Sequence, residues 1–572
     1  MFKEINIPKK FAFPYTPESF SIKEKEILLN FFTNFDKPVF AIYNLPQEVI
    51  GAMFSRYSRS EKSVRRLFLD EFWDPSFSQY KVDQNKLNKA RERTNVFYKK
   101  VFAEFGDDSV IQMGSVHIAF EFVSQIAGKA IEDQRIGASY IEKSTRYVDF
   151  GKKIDGHYLF ADIPEIAKSK YFKEYKAWNN FAFDSYNKHL ETAAGFLEKK
   201  YPITDFADIE NLMDKVEIEK IRKAYERALK AKAFDTIRIF LPTTTVTNLG
   251  AHFSGQAAEN TINKMLVSPH AEVRLLGKMA YEELVKVSPN FLQNLDSRFG
   301  EIARNYRKEI RDLHQKNANK YLKDVKDEDD LKDVRLIDFD RDIDIKIASQ
   351  ILYTAQTETY LSKKQVLIWC KKNRKLLPQI IFSSIPDRSR AELNRRHKLP
   401  RAFEQADFEV EFFKDFGIYR DLQRNRLSST ERLFLNSENL EIPSEFRESG
   451  MEEVLSDYLK LHKLTNALNK KLRKDKNENI KNSAQYATIL GNKLRFNVRA
   501  NMRQFVFFSE LRTIAGGHPS YRNAMQKAVK EITDKVPSLS RLFAKVDWKE
   551  NYGLGRMKSE IRTQEALSKL KK

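Results

Sequence analysis

The stretch FEFVSQIAGKAIEDQRIGAS, from Phe120 to Ser139, is echoed further along the chain by VEFFKDFGIYRDLQRNRLSS, from Val410 to Ser429. Phe122 falls on Phe412 and Ser139 on Ser429, each pair 290 residues apart. A second pair of blocks keeps the same order. SGQAAENTINKML aligns with NMRQFVFFSELRT, putting Gln256 on Arg503 and Met265 on Arg512, each pair 247 apart. Two ungapped blocks in one order read as a duplicated domain, with extra sequence between the blocks of the first copy. Just ahead, Val116, Ile118, Phe120 and Phe122 alternate, and the apolar spacing then lengthens. That pattern predicts a strand or buried segment running into a helix.

Working outward, SEKSVRRLFLDEFW and VFYKKVFAEFG have helical spacing. DTIRIFLPTTTVTNLGAHF is β-branched and strand-like, and Pro242 confines it to an edge or a break. AENTINKMLVSPHAEVRLLGKMAYEELVKV reads as two helices separated by Pro269. Lys316 to Asp344 is highly charged and poor in large apolar groups, so it reads as a connection. The expected division is a first domain over 1–314, a linker over 315–345 and a diverged second copy over 346–572. Helical spacing resumes with IASQILYTAQTETYLSKKQVLIWCKK.

The chain has 572 residues, enough for two to four domains. It is 41% hydrophobic and 31% charged, which is a globular composition. No apolar run approaches the roughly 20 residues a membrane span needs, and no secretory signal opens the chain. A cytoplasmic location is the default expectation. The single cysteine, Cys370, excludes internal disulfides and a cysteine-based zinc site, and reads as a small buried hydrophobe. No His pair has HExxH spacing, so no metal is expected. The net charge of +21 attracts polyanions or phosphorylated small molecules.

SYIEKSTRY, Ser139 to Tyr147, leaves two conformations open. In a helix, Glu142 and Arg146 are neighbours and form a surface pair worth about 0.3–0.5 kcal/mol. In an extended segment, Glu142, Ser144 and Arg146 share a face that offers an acceptor, a hydroxyl and a planar cation. Such a face suits a nucleobase plus phosphate. In the second half, Arg420, Arg424, Asn425 and Arg426 crowd together, which suits a solvated helix face or a pyrophosphate site. Arg503 and Arg512 flank the apolar FVFF, and AGGHPSY then breaks the helix before Arg522.

These residues resemble the flavin-dependent thymidylate synthase family, whose signature is RHR, a short spacer, then S-x-x-E-x-S-x-R-Y. Ser139, Glu142, Ser144, Arg146 and Tyr147 match its later part. FLPTTTVTNLG and SPHAEVRLLG resemble its second block and put Arg274 at the family's catalytic arginine. The second half is similar with other residues kept: Arg424, Asn425 and Arg426 stand at RHR, Arg503 and Arg512 at the N-x-R and L-R positions, and Arg522 level with Arg274. The resemblance implies the family's long branch with two tandem copies. The implied fold is α+β, with two thymidylate-synthase-complementing-type domains, each a β-sheet flanked by long helices.

The departures are distributed between the halves. The first reads Gln134, Arg135, Ile136 at RHR and has Gln256 and Met265 at the two later arginines; the second has Arg432 and Phe434 at the motif's Glu and second Ser. The resemblance therefore implies one composite site, with nucleotide groups from half one and flavin groups from half two. Ser144 and Arg274 would be catalytic. Ser139, Glu142, Arg146, Tyr147, Arg503 and Arg522 would hold dUMP, and Arg424, Asn425, Arg426 and Arg512 would hold FAD. NADPH and methylenetetrahydrofolate would be co-substrates, and the expected assembly is a homodimer, a pseudo-tetramer of domains. The alternatives are a diverged nucleotide- or RNA-binding protein and a flavoenzyme acting on another pyrimidine.

Overall fold

Each copy builds an antiparallel four-stranded sheet, and the two sheets have the same strand order. The computed structural model describes residues 4–11, 14–80, 94, 109–206, 214–326, 331–550 and 553–570. The first sheet holds β1 (Val39–Ile42), β2 (Ser115–Ser124), β3 (Ala138–Glu142) and β4 (Val246–Ser254), laid side by side as β1-β2-β4-β3. The second holds β5 (Val334–Phe339), β6 (Asp407–Asp415), β7 (Ser429–Arg432) and β8 (Lys493–Asn501), laid as β5-β6-β8-β7. The α+β class and the two-copy organisation are therefore present in the structure.

The registers fix the equivalence residue by residue. Ser139 lies opposite His252 and Ser429 opposite Arg499, so the offsets of 290 and 247 hold across these strand pairs. Phe120 and Phe412 take the same place, opposite Leu249 and Phe496. The expected match of Phe122 to Phe412 is thus two residues out. β2 is irregular between Phe120 and Val123, and Phe122 sits there with a left-handed φ of 57°. The offset is 292 at Phe120, 291 at the Ser124 cap and 290 at Ser139, so the bulge accounts for one residue and the loop after α1 for the other; neither breaks the pattern that an ungapped comparison reads.

The helices repeat as well. In the first copy α1 (Gln125–Ile131) follows β2, and α2 (Gly255–Leu266) and α3 (Ala271–Val287) follow β4; α4 (Phe416–Leu422), α5 (Met502–Arg512) and α6 (Pro519–Lys535) hold the same places in the second. Short polar side chains cap four of them, each satisfying a first-turn amide: Ser124, Ser254, Asp415 and Asn501. His270 and His518 stand at the N-caps of α3 and α6. Pro242 does mark a break, since helix runs to Ile237 and β4 begins only at Val246. SEKSVRRLFLDEFW becomes a short α-helix, Val64–Leu67, continued by a π-turn over Phe68–Phe72. VFYKKVFAEFG lies outside the described residues.

Contacts group the chain into two units that are discontinuous in sequence. Unit 1 is Met1–His189, Ile237–Asp327 and Glu453–Leu490; unit 2 is Leu190–Thr236, Glu328–Glu452 and Gly491–Lys572. Each unit thus includes a helical segment that in sequence separates the third and fourth strands of the other copy. In unit 1 that segment is built in by Trp178 Nε1 donating to Thr465 Oγ1 at 2.9 Å, by Thr243 N donating to Thr488 O at 2.9 Å and by Leu490 N donating to Leu241 O at 2.8 Å. In unit 2, Ile221, Ala224, Tyr225 and Ala228 pack with Leu554 and Met557.

The sheet of unit 1 is covered on both faces. Val116, Ile118, Phe120, Leu249, Ala251 and Phe253 pack on α2 and α3. Phe40, Ile42 and Ala119 pack on a second cluster that includes Phe31, Phe32, Phe54, Tyr57 and Phe68. Burial on both faces explains why β2 reads as a nearly unbroken apolar run. β8 in unit 2 instead alternates strictly: Leu494, Phe496, Val498 and Ala500 are buried. Between them Arg495 meets Glu411 at 3.3 Å and Arg499 meets Glu409 at 3.4 Å. No helix among the described residues is long and apolar enough to cross a membrane.

The stretch over 315–345, expected as a connection, carries structure. A helix reaches Tyr321, and β5 is the first strand of the second sheet, with Val334 opposite Phe412. Its alternation is hidden by flanking charge, and that charge is structural. Asp333 lies 2.9 Å from Lys493, 3.2 Å from Lys527 and 3.4 Å from Lys414. Burial pushes its carboxyl up, but the three ammoniums outweigh this and hold it at about 2. A carboxyl depressed in the fold adds stability above its unfolded pKa, and the gain disappears as pH falls from about 4 towards about 2. Asp333→Asn should cost about 1 kcal/mol near neutral pH, given partial solvent screening of the network. It should also flatten the acid limb of the stability curve, measured by denaturant unfolding across pH.

Candidate functional site

The polar groups of SYIEKSTRY are placed by an edge strand and the turn after it. β3 ends at Glu142; Lys143 N then donates to Asn248 O at 2.8 Å and Ser144 N to Ser58 O at 3.0 Å. From there the chain turns. Tyr147 N and Val148 N both donate to Ser144 O, at 3.2 and 3.1 Å, and Arg146 N donates to the Ser144 hydroxyl at 3.2 Å. Ser144 caps a single turn, a common role for a serine whose side chain competes for backbone amides. The helical reading of Glu142–Arg146 therefore fails, and the extended reading holds only as far as Glu142. Ser139 is exposed and Arg146 half-buried. Tyr147 is 42% exposed, with the Arg59 guanidinium 5.3 Å from its ring centre.

Glu142 does not face a cleft, contrary to expectation. It is buried, and Lys129 of α1 donates to its Oε2 at 3.1 Å while also bonding Glu132. Removing a carboxylate from water costs several kcal/mol unless a partner compensates, so the lysine fixes where Glu142 sits. This cluster ties the end of β3 to α1. Lys129→Met strands two buried carboxylates and should destabilise the protein by about 3–5 kcal/mol. Glu142→Gln should cost clearly less, because Glu132 keeps its partner; thermal unfolding of both variants checks the order.

Arg274 sits one turn into α3, where its Nη1 donates to Ser268 O at 2.7 Å. Two residues before it stands Glu272, which sequence reasoning missed. Its carboxylate accepts from Ser124 N at 2.9 Å, Ser124 Oγ at 2.6 Å and Tyr486 OH at 2.9 Å. Desolvation pushes its pKa above the usual carboxylate range in spite of these bonds. An acidic residue in a first helical turn is ordinarily a solvated complement to the helix dipole, so nothing in the sequence marks it.

In unit 2 the turn between α4 and β7 exposes Arg424 and Arg426 and buries Asn425. Asn425 Oδ1 accepts from Gln504 of α5, while its Nδ2 is buried with no hydrogen-bond partner. Arg512, the last residue of α5, donates from Nη2 to Asp421 O at 2.6 Å and lies 5.5 and 5.6 Å from the Phe508 and Tyr521 ring centres. Its Nε is also buried and unbonded. Burial lowers the pKa of this guanidinium, and the like charge of Arg424 lowers it further. Unsatisfied buried donors beside like charges are chemistry that suits an anionic group.

Two expected ligand arginines are committed elsewhere. Arg503 donates to Leu399 O at 2.6 Å and pairs with Glu404 at 2.9 Å. Arg522 matches Arg274 in helical position, four residues after the capping histidine. It is only 2% exposed and donates to Thr513 O at 2.9 Å, Lys549 O at 2.7 Å and Glu550 O at 3.3 Å. It therefore clamps the segment after α6, since a buried guanidinium needs every donor met. Among the described residues, no three His, Cys, Asp or Glu side chains gather as metal ligands.

Comparison with known proteins gives a consistent picture. The family described as "thymidylate synthase complementing protein" matches residues 72–290. The chain is 32% identical to a UPF0159 protein of Chlamydia muridarum, over 95% of this chain and 98% of that one. It is also 32% identical to a UPF0159 protein of Chlamydia pneumoniae, over 96% and 98%. With a UPF0159 protein of Thermoplasma acidophilum it shares 28% identity over 90% and 98%.

Proposed function

The chain belongs to the thymidylate synthase complementing protein family, in the long two-copy form shared with the UPF0159 proteins, and on that premise we propose that it is an FAD-dependent thymidylate synthase. The reaction would methylate dUMP to dTMP, with methylenetetrahydrofolate giving the carbon and NADPH the reducing equivalents. The observation that carries the reading is two unsatisfied buried donors: Asn425 Nδ2, at a turn flanked by Arg424 and Arg426, and Nε of Arg512, which reaches Asp421 O just before that turn. Planar cations and a neutral amide donor suit a pyrophosphate, so the residues present fit FAD.

In this reading Arg424, Asn425, Arg426 and Arg512 bind the cofactor, and FAD, when bound, supplies the hydride. Protein groups provide orientation and electrostatics. Arg146 and Arg274 hold the nucleotide phosphate or stabilise negative charge developing on the pyrimidine. Ser139, Ser144 and Tyr147 orient the nucleotide from the β3 edge and the turn after it. Glu142 acts from below, holding that turn through Lys129. Arg503 and Arg522 keep the structural roles their contacts give them. A cysteine nucleophile is not part of this chemistry, and the single Cys370 is buried.

FAD titration followed by flavin fluorescence tests the reading. Arg512→Ala and Arg424→Ala should each weaken FAD binding at least about tenfold, as expected for losing a charge-assisted hydrogen bond. Arg146→Ala should leave FAD binding intact and abolish conversion of dUMP to dTMP. A colourless protein that takes up no FAD contradicts the proposal. A flavoprotein that leaves dUMP unchanged points to another pyrimidine substrate.

A further inference from the structure

A basic loop of unit 2 has no part in the reading above. Residues 386–401, PDRSRAELNRRHKLPR, contain six Arg or Lys against one Asp and one Glu. The fold holds this loop firmly. Arg388 is buried, donating to Glu510 Oε1 at 2.5 Å and to His397 O at 2.8 Å. Leu399 is buried, and its carbonyl accepts from Arg503. Asn394 N donates to His397 Nδ1 at 3.1 Å. A buried ion pair is an expensive anchor, and here it fixes a loop of like charges that repel one another.

Little of that charge is neutralised locally. Glu392 pairs with Arg390, and Asp387 accepts from Ser389 N. Arg401 is exposed and reaches Glu404 only at 3.6 Å. Arg395, Arg396 and Lys398 make no ion pair among the described residues, and Lys398 stacks over the Phe507 ring at 4.5 Å. The neighbourhood adds more cations. Lys545 donates to the carbonyls of Arg390 at 2.8 Å and Ser389 at 3.3 Å. Arg541 lies over the Phe382 ring at 4.8 Å. Trp548, three residues beyond Lys545, is half exposed.

We propose that this loop, with Lys545 and Arg541, is a docking surface for the phosphate backbone of nucleic acid. Arginine forks match phosphate oxygens, and several fixed cations gain binding energy by releasing condensed counterions. A lipid headgroup surface fits less well. No large apolar side chain between Leu376 and Leu427 is exposed, so the loop itself inserts nothing below the headgroups, and the nearby exposed Trp548 is equally a ring on which a base can stack. The surface shares no residue with the proposed flavin and dUMP sites.

The test is fluorescence anisotropy of the full chain with labelled single-stranded RNA across a salt series. The triple variant R395Q/R396Q/K398Q should bind at least tenfold more weakly, and its salt slope should fall by about 2, at roughly 0.7 per lost phosphate contact. The control triple K308Q/K316Q/K320Q removes the same charge from the helix Arg298–Tyr321 and should bind like the wild type. Flavin and dUMP binding should be unchanged in both, which separates this inference from the proposed activity. Equal weakening by the two triples would overturn the proposal in favour of the overall positive field. No RNA binding by the wild type, or binding to phosphatidylserine vesicles alone, would also overturn it. If the triple variant melts early, Arg396→Gln and Lys398→Gln singly, both at exposed positions, should each reduce binding and salt slope by a smaller step.

Discussion

The double pairing of the fourth strand in each copy is the constraint on which the rest depends. β4 lies between β2 and β3, and β8 between β6 and β7, so both edges of each carry a backbone ladder. A one-residue slip would send Leu249, Ala251 and Phe253 to the opposite face and break two ladders at once. That register places Ser139 opposite His252 and ends β3 at Glu142. It also launches α2 from the Ser254 cap, which sets the position of α3 and of Arg274. The turn at Ser144 and Arg274 of the first copy are thus held by one strand.

The same scaffold has diverged between the copies in what it buries. The first sheet has apolar clusters on both faces, whereas β8 shows an Arg–Glu ladder on one. Under the proposed function the ligand chemistry divides as well. Unit 1 keeps the hydroxyl-rich turn at Ser144 and the arginines Arg146 and Arg274. Unit 2 keeps the arginine turn at Arg424–Arg426 and the buried Arg512. On that reading each copy has lost what the other retains, and neither set is complete in isolation.

Much of this was legible in the sequence, for identifiable reasons. Strand-to-helix switches such as SVHIAFEFVSQIAGKAIED survive because periodicity records backbone geometry directly. The offset of 247 survives because β4, its capping residue and α2 recur at the same spacing in β8, Asn501 and α5. What escaped notice depends on partners remote in sequence. Phe122 is displaced by a bulge and by a one-residue difference in the loop after α1. Asp333 looks like linker charge until Lys414, Lys493 and Lys527 surround it. Glu142 carries the family's motif, yet its environment is set by Lys129, thirteen residues earlier. Arg522 aligns with Arg274, but the chain around Lys549 and Glu550 takes its donors. Residue type marked the candidates, and tertiary partners decided which of them stay available.

The central claim is that the chain divides flavin and nucleotide recognition between its two copies. An experimental structure of the protein soaked with FAD and dUMP tests it most directly. The account predicts pyrophosphate density against Arg512 and Asn425, and nucleotide phosphate against Arg146 or Arg274. Density for either ligand at other residues, or full occupancy with Arg512 Nε and Asn425 Nδ2 still unbonded, would contradict it.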